Sequence, residues 1–257
     1  MRILCLGDVV GEEGLTTITA GRSLSRLRDS LGADLVIVNG ENSAPGNGMT
    51  PDSARAIFDA GADVITGGNH TWRRREVYSY LDDEEYVIRP ANYPDAVPGH
   101  GWCIADAAGR RVLILNLAGC VYMESLASPF DTADRILKMN EGKYDCAIVD
   151  IHAEATSEKM ALARYLDGRV SAVFGTHTHV ATADAQVLPG GTGYITDLGM
   201  CGSHAGILGV ATEDILHKFR LKTPVYFTPA KGQCAIHGVL FEIDGNGKCV
   251  KAQGIEA

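Results

Sequence analysis

Several patterns are missing from this 257-residue chain, and each absence removes a class of function. No apolar run approaches the ~20 residues that a bilayer-spanning helix needs. No two cysteines have C-x-x-C spacing; Cys5, Cys103, Cys120, Cys146, Cys201, Cys234 and Cys249 are scattered and odd in number. Free thiols in a reducing compartment are expected, not a disulfide framework or a thiolate zinc site. Residues 1–6 pass into Gly7-Asp8 without the apolar core of a secretory leader, so a cytoplasmic protein with no membrane partner is expected. Lys and Arg number 23 against 32 Asp and Glu, a formal net charge of −9. That balance argues against a broad nucleic-acid-binding surface. It leaves a nucleotide substrate open, because a bound metal supplies positive charge locally. Gly7-Asp8-Val9-Val10-Gly11 lacks the G-x-G-x-x-G spacing, and nothing matches G-x-x-x-x-G-K-[ST]. A Rossmann or P-loop phosphate cradle is therefore disfavoured. Repeats, low-complexity tracts and linkers are also missing, so a single domain over 1–257 is the economical organisation.

What is present is an alternation of short β-rich runs and amphipathic stretches. Strands are predicted at 3–6, 35–38, 64–66, 147–151 and 170–174. Apolar residues at Leu15, Ile18, Leu24, Leu27 and Leu31 predict a helix over 15–31, and Thr50 followed by Pro51 predicts the start of another over 51–60. Further helices are predicted at about 74–81, 132–139 and 158–166. Residues 101–105 and 110–117 flank Asp106-Ala107-Ala108-Gly109 as a hairpin. The last third is glycine-rich, with short strands at 194–196 and 235–243. Continuous apolar strands between helices imply an α/β fold, a sheet covered by helices on both faces. The hairpin makes it mixed.

Five of the apolar runs end in residues that can hold a divalent ion. In chain order they supply Asp8, then Glu41-Asn42, then Asn69-His70, then His152, then His177-Thr178-His179. Neutral imidazole and carboxylate or carbonyl oxygen suit iron, manganese and zinc. An Asp after a strand also caps helices, Asn42 and Asn69-His70 also form turns, and a lone His is commonly a structural residue. His177 and His179 are stronger, since in an extended segment i and i+2 share a face. Sites in open α/β folds form beyond the carboxyl ends of strands. Five coincidences at one edge are less economical than one site.

The order and types of these residues resemble the calcineurin-like metallophosphoesterase superfamily, through Gly68-Asn69-His70 and Gly175-Thr176-His177-Thr178-His179. Two departures narrow the resemblance: Asp8-Val9-Val10 stands where Asp-x-His is usual, and Glu41 where a bridging Asp is usual. Asn39-Gly40-Glu41-Asn42-Ser43, Gly67-Gly68-Asn69-His70-Thr71-Trp72 and Gly175-Thr176-His177-Thr178-His179-Val180 together resemble the bacterial YmdB-like phosphodiesterases, from the first strand to about residue 209. That resemblance implies a layered metallophosphoesterase fold of mixed β-sheets flanked by helices, with two divalent metal ions, iron or manganese. Asp8, Glu41, Asn42 and His179 would hold one; Glu41, Asn69, His152 and His177 would hold the other, with Glu41 bridging. Two ions about 3.5–4 Å apart make a shared water hydroxide near neutral pH, and that hydroxide attacks phosphorus in line. His70 is implied as the general acid, and histidine titrates in the range this role needs.

The implied substrates are small phosphodiesters, 2′,3′-cyclic nucleotides such as 2′,3′-cAMP among them, and a homo-oligomer is the expected assembly. Two other readings stay open: a phosphomonoesterase or protein phosphatase using the same ions, and a regulatory protein that binds a nucleotide without turnover. Residues 199–206, Gly-Met-Cys-Gly-Ser-His-Ala-Gly, read as a flexible loop that either reaches the substrate or merely connects elements. Arg73-Arg74-Arg75 opens a helix and reads as a solvated face.

Overall fold

A computed structural model describes the chain from Met1 to Ala257. β1 (Arg2–Leu6), a short β2 (Asp8–Val9), α1 (Gly11–Thr19) and α2 (Ser23–Leu31) open the chain. β3 (Leu35–Asn39), α3 (Pro51–Ala60), β4 (Val64–Thr66), α4 (Tyr78–Asp83) and β5 (Val87–Ile88) follow. Next come the hairpin β6 (Trp102–Ala107) and β7 (Arg110–Ala118), then α5 (Pro129–Met139), β8 (Cys146–His152), α6 (Thr156–Leu166) and β9 (Ala172–Thr176). The last third holds β10 (Gln186–Val187), β11 (Gly193–Ile195), β12 (Met200–Ser203), α7 (Thr212–Leu221), β13 (Cys234–Ala235), β14 (His237–Ile243) and β15 (Cys249–Glu256).

These strands build two six-stranded mixed sheets, β15-β14-β1-β3-β4-β5 and β10-β11-β9-β8-β7-β6, and a small third sheet, β13-β12-β2. A single helix-covered sheet is thus the wrong picture. Alternate side chains explain why: Ile3, Ile37 and Val64 of the first sheet meet Ile114, Ile148 and Phe174 of the second in one buried core. The opposite face of the first sheet, including Leu4, Val36 and Ile65, packs on Ile18, Leu24, Ile57 and Leu81 from its helices. Leu115, Val149 and Val173 do the same against Ile136 and Leu162 of α5 and α6. Each central strand is buried on both faces, which is why it reads as an unbroken apolar run.

Local chemistry sets most boundaries. At α3, the Thr50 hydroxyl accepts from the Ser53 amide while the Ser53 hydroxyl accepts from the Thr50 amide, with Pro51 in the first turn. The helix over 15–31 is two helices, because Gly21 (φ 58°) and Arg22 (φ 61°) turn left-handed and redirect the chain. The apolar period runs across that break and conceals it. Residues 199–206 differ as well. Met200–Ser203 is buried strand β12, paired in parallel with β2 through Met200–Asp8 and Cys201–Val9. This segment holds Asp8 in place and offers no free loop over residues 200–203. No cysteine is in a disulfide, and no helix is long and apolar enough to cross a membrane.

Candidate metal centre

All five strand endings converge beyond the carboxyl ends of β1, β3, β4, β8 and β9. Asp8 is fully buried, and ligand atoms of Asp8, Glu41 and His152 lie within 4.8 Å of one another. The nitrogen and oxygen atoms divide into two groups that meet at Glu41. His152 Nε2 is 2.9 Å from Asn69 Oδ1, 3.1 Å from His177 Nδ1 and 3.3 Å from Glu41 Oε1. On the other side, His179 Nε2 is 3.6 Å from Asp8 Oδ1 and 3.4 Å from Asn42 Nδ2, which donates to Glu41 Oε1 at 2.9 Å. Asn42 thus presents its amide nitrogen to Glu41 and His179, and its oxygen to His70. A half-turn about its last torsion would aim the oxygen at that pair.

Each of the three imidazoles has an acceptor for its outer nitrogen. His152 Nδ1 meets the Thr176 hydroxyl at 3.0 Å, and that hydroxyl donates to Asp150 Oδ1 at 2.8 Å. His177 Nε2 lies 3.2 Å from Glu154 Oε2, and His179 Nδ1 lies 3.3 Å from the Leu208 carbonyl oxygen. Protons placed on those outer nitrogens leave three lone pairs directed inward, beside carboxylates that offer only acceptors. Asp8 Oδ1 is buried without any hydrogen-bond partner. A set of inward acceptors and an orphaned carboxylate oxygen is what a cation needs and what a packed core avoids. The donor set fits divalent ions.

The electrostatics agree. Burial works against charge on Glu41, yet His152 and His70 hold its carboxyl well below the usual carboxylate range. Burial also disfavours the charged form of His152, but Glu41 and Asp8 outweigh it and raise this imidazole to about 9. A proton therefore sits among these groups in the absence of a competing cation.

The backbone that delivers these side chains is tightly specified. The Gly67–His70 turn is held by the Thr71 hydroxyl, which accepts from Gly68 N–H at 2.9 Å, and by the His70 amide donating to Glu41 Oε2 at 2.7 Å. A Cβ on Gly68 would collide with Glu41 Oε2 and His152 Nε2, so only glycine lets this turn approach the ligands so closely. The His177-Thr178-His179 segment is not extended. β9 ends at Thr176, and His177 (φ 99°) and His179 (φ 63°) both take the left-handed region, a conformation that costs non-glycine residues free energy. Buried Asp197 holds the bend. Its Oδ2 accepts from Thr178 N–H at 3.1 Å, from the Thr178 hydroxyl at 2.8 Å and from Lys159 Nζ at 2.6 Å, within a pair whose side chains are each 1% exposed.

Asp150, Thr176, Glu154, Lys159 and Asp197 support the site without standing among the residues that the sequence pattern singles out. Asp150 left one sign in the sequence, a carboxylate inside the apolar run 147–151. Burial raises its carboxyl to about 6, against the pull of His152 and the hydroxyls of Thr66 and Thr176. Lys159 is a cation at 0% exposure on a helix otherwise read as amphipathic. Arg74 also departs from a solvated face, since its guanidinium donates to the Asn47 carbonyl at 3.1 Å and to that of Pro45.

His70 stands slightly apart. Its Nδ1 is 2.9 Å from Asn42 Oδ1 and 3.2 Å from Glu41 Oε1, and its side chain is 25% exposed at a cavity it shares with Asn42 and His179.

Comparison with known proteins places the whole chain in a family. A family model described as "YmdB-like protein" matches residues 4–255. A Bacillus subtilis protein named 2′,3′-cyclic-nucleotide 2′-phosphodiesterase is 43% identical over 256 residues, covering 100% of this chain and 96% of that protein. A crystal structure of a hypothetical protein from Thermus thermophilus superposes with a TM-score of 0.93 at 43% identity, covering 100% of this chain and 99% of that one. A novel phosphatase from Mycoplasma pneumoniae gives the same TM-score, 0.93, at 32% identity, covering 100% and 93%.

Proposed function

The chain belongs to the YmdB-like family, and from that membership we propose that it is a metal-dependent phosphodiesterase acting on 2′,3′-cyclic nucleotides. The observation that carries the metal assignment is three imidazoles, each with an acceptor at its outer nitrogen and its other nitrogen turned inward, beside the orphaned Asp8 oxygen. Asp8, Glu41, Asn42 and His179 would hold one ion, and Glu41, Asn69, His152 and His177 the other, with iron or manganese suited to this mixture of imidazole and oxygen. Two such ions supply Lewis acidity, activating water near neutral pH and offsetting charge on the phosphoryl group.

The chain's own residues do the rest. Thr176 and Glu154 fix the rings of His152 and His177 through their outer nitrogens, and Leu208 does so for His179. With its oxygen turned toward the ion it would share with His179, Asn42 would donate its amide N–H to His70 Nδ1, and the ring proton of His70 would then sit on Nε2, available to the leaving oxygen. For a 2′,3′-cyclic substrate that oxygen is O2′, and the product is the nucleoside 3′-phosphate. The reading of a nucleotide binder without turnover explains neither the strained His177 and His179 backbone nor a histidine poised beside the ligands. The free thiols support a reducing, cytoplasmic setting.

The test is a substrate panel on metal-replete protein. Hydrolysis of 2′,3′-cAMP to 3′-AMP, and of bis-p-nitrophenyl phosphate faster than p-nitrophenyl phosphate, is expected. Preference for the monoester, with cyclic nucleotides untouched, would replace this reading with a phosphomonoesterase.

A further inference from the structure

The cavity beside His70 has a lining that the phosphodiester chemistry leaves unexplained. It encloses about 400 Å³. Its polar lining includes Asn42, His70 and His179, and its apolar lining includes Val10, Leu208 and Phe227. No Asp, Glu, Lys or Arg side chain takes part. A ligand with one anionic group at the metal ligands and an uncharged remainder fits such a surface. A nucleoside di- or triphosphate would bring further charges that no cation there meets.

Leu208 and Phe227 are 46% and 53% exposed, yet neither sits on a loose segment. Leu208 has a left-handed backbone (φ 53°), and its carbonyl lies against His179 Nδ1. The strap carrying Phe227 is pinned by Thr228, whose amide and hydroxyl both donate to Asp214 Oδ2, at 2.8 and 2.6 Å. The Thr228 carbonyl accepts from Ala211 N–H at 2.9 Å, and the Ala230 amide donates to the Gly209 carbonyl at 2.9 Å. Arg74 donates to the Asn47 carbonyl and so fixes the loop that carries Asn47, which lines the same cavity. Two half-exposed apolar side chains, carried on hydrogen-bonded backbone and lining one cavity with His70, form a surface suited to being covered by a ligand.

Resting on the phosphodiesterase reading, we propose that this wall is the nucleobase subsite: Phe227 supplies the stacking face, Leu208 packs beside it, and Asn47 meets the polar edge of the base. An aromatic face accepts any base, and a side-chain amide both donates and accepts. The subsite therefore holds adenine and cytosine with similar affinity and discriminates nucleoside cyclic phosphates from base-free ones.

The experiment compares steady-state kinetics of the metal-replete wild type and Phe227→Ala on 2′,3′-cAMP, 2′,3′-cCMP and base-free glycerol 1,2-cyclic phosphate. Loss of a stacking partner is expected to raise KM for both nucleotides about tenfold with little change in kcat. The preference for nucleotide over the base-free ester should fall by the same factor, and Phe227→Trp should restore it. Tyr226→Ala, next to it but outside the cavity, serves as the control and should behave as wild type. An unchanged nucleotide KM in Phe227→Ala, or an equal loss on all three esters, overturns the proposal. Should the wild type hydrolyse none of them, the phosphodiesterase reading fails, and the subsite is then judged by equilibrium binding of 3′-AMP. Tenfold weaker binding to Phe227→Ala supports it; equal binding to both proteins overturns it.

Discussion

His152 and Asp150 face each other across a single hydroxyl: Thr176 Oγ1 accepts from His152 Nδ1 at 3.0 Å and donates to Asp150 Oδ1 at 2.8 Å. This relay fixes the proton on the outer nitrogen of a fully buried imidazole and turns the other nitrogen toward Glu41, Asn69 and His177. Thr176→Val keeps the shape of the side chain and removes both hydrogen bonds. Metal affinity is expected to fall by about 10- to 100-fold, the usual loss when such a partner is removed. Metal titration of chelator-treated protein measures it; affinity equal to wild type would show that the relay does not orient His152.

His70 contacts Asn42 and Glu41 without belonging to either cluster. His70→Ala is expected to keep its metal while kcat on 2′,3′-cAMP falls about 10²- to 10⁴-fold, the range for loss of a general acid. The loss should be much smaller with bis-p-nitrophenyl phosphate, whose leaving group departs without protonation. Equal losses on both substrates would assign His70 to positioning and remove it as proton donor.

Protons and metal compete for His152. The folded chain raises this imidazole to about 9, above the ~6.5 of an unfolded chain. The stabilisation from its protonation is complete below about pH 6.5 and is lost as pH rises through about 9. Chelator-stripped protein should therefore lose thermal stability over that window through this group. The gain in Tm on adding metal should grow over the same window, because the ion displaces that proton. Melting curves between about pH 6.5 and 9, with and without metal, check this; a metal-induced gain that shrinks with rising pH would contradict it.

The buried Lys159–Asp197 pair holds the bend that places His177 and His179. Lys159→Met leaves Asp197 buried and uncompensated, which costs about 3–5 kcal/mol. That corresponds to a drop in Tm of roughly 10 °C for a chain of this size. Thermal melts read the first effect and metal content the second: both should fall, and a variant as stable as wild type would show the pair to be dispensable.

The endings at Asp8, Glu41-Asn42, Asn69-His70, His152 and His177-x-His179 are legible in the sequence because a ligand-type residue after an apolar run is visible locally. Their supports are not. Thr176 lies past the strand expected at 170–174, Asp197 follows the strand expected at 194–196 and Lys159 falls in the helix expected at 158–166, and none carries a mark of its partners; only the fold shows that Asp197 and Lys159 meet across 38 residues of chain. The two-sheet core, implied by the family resemblance, leaves no mark of its own in the residue pattern for a related reason. Strands buried on both faces look alike whether the second layer is a helix or another sheet, so Ile37 and Ile148 carry no mark that they face each other. The break at Gly21-Arg22 leaves no trace in the apolar pattern, because Leu24, Leu27 and Leu31 continue the period set by Leu15 and Ile18.

The proposed metal-dependent phosphodiesterase centre comprises Asp8, Glu41, Asn42, Asn69, His70, His152, His177 and His179. It is tested most directly by measuring metal content and 2′,3′-cAMP hydrolysis together, on wild type as purified, after chelation and after reloading, with Glu41→Gln in parallel. Two ions per chain, turnover to 3′-AMP lost on chelation and recovered on reloading, and depletion of both ions in Glu41→Gln are the predicted result. Full turnover by the chelated wild type, or Glu41→Gln retaining both ions, would contradict it.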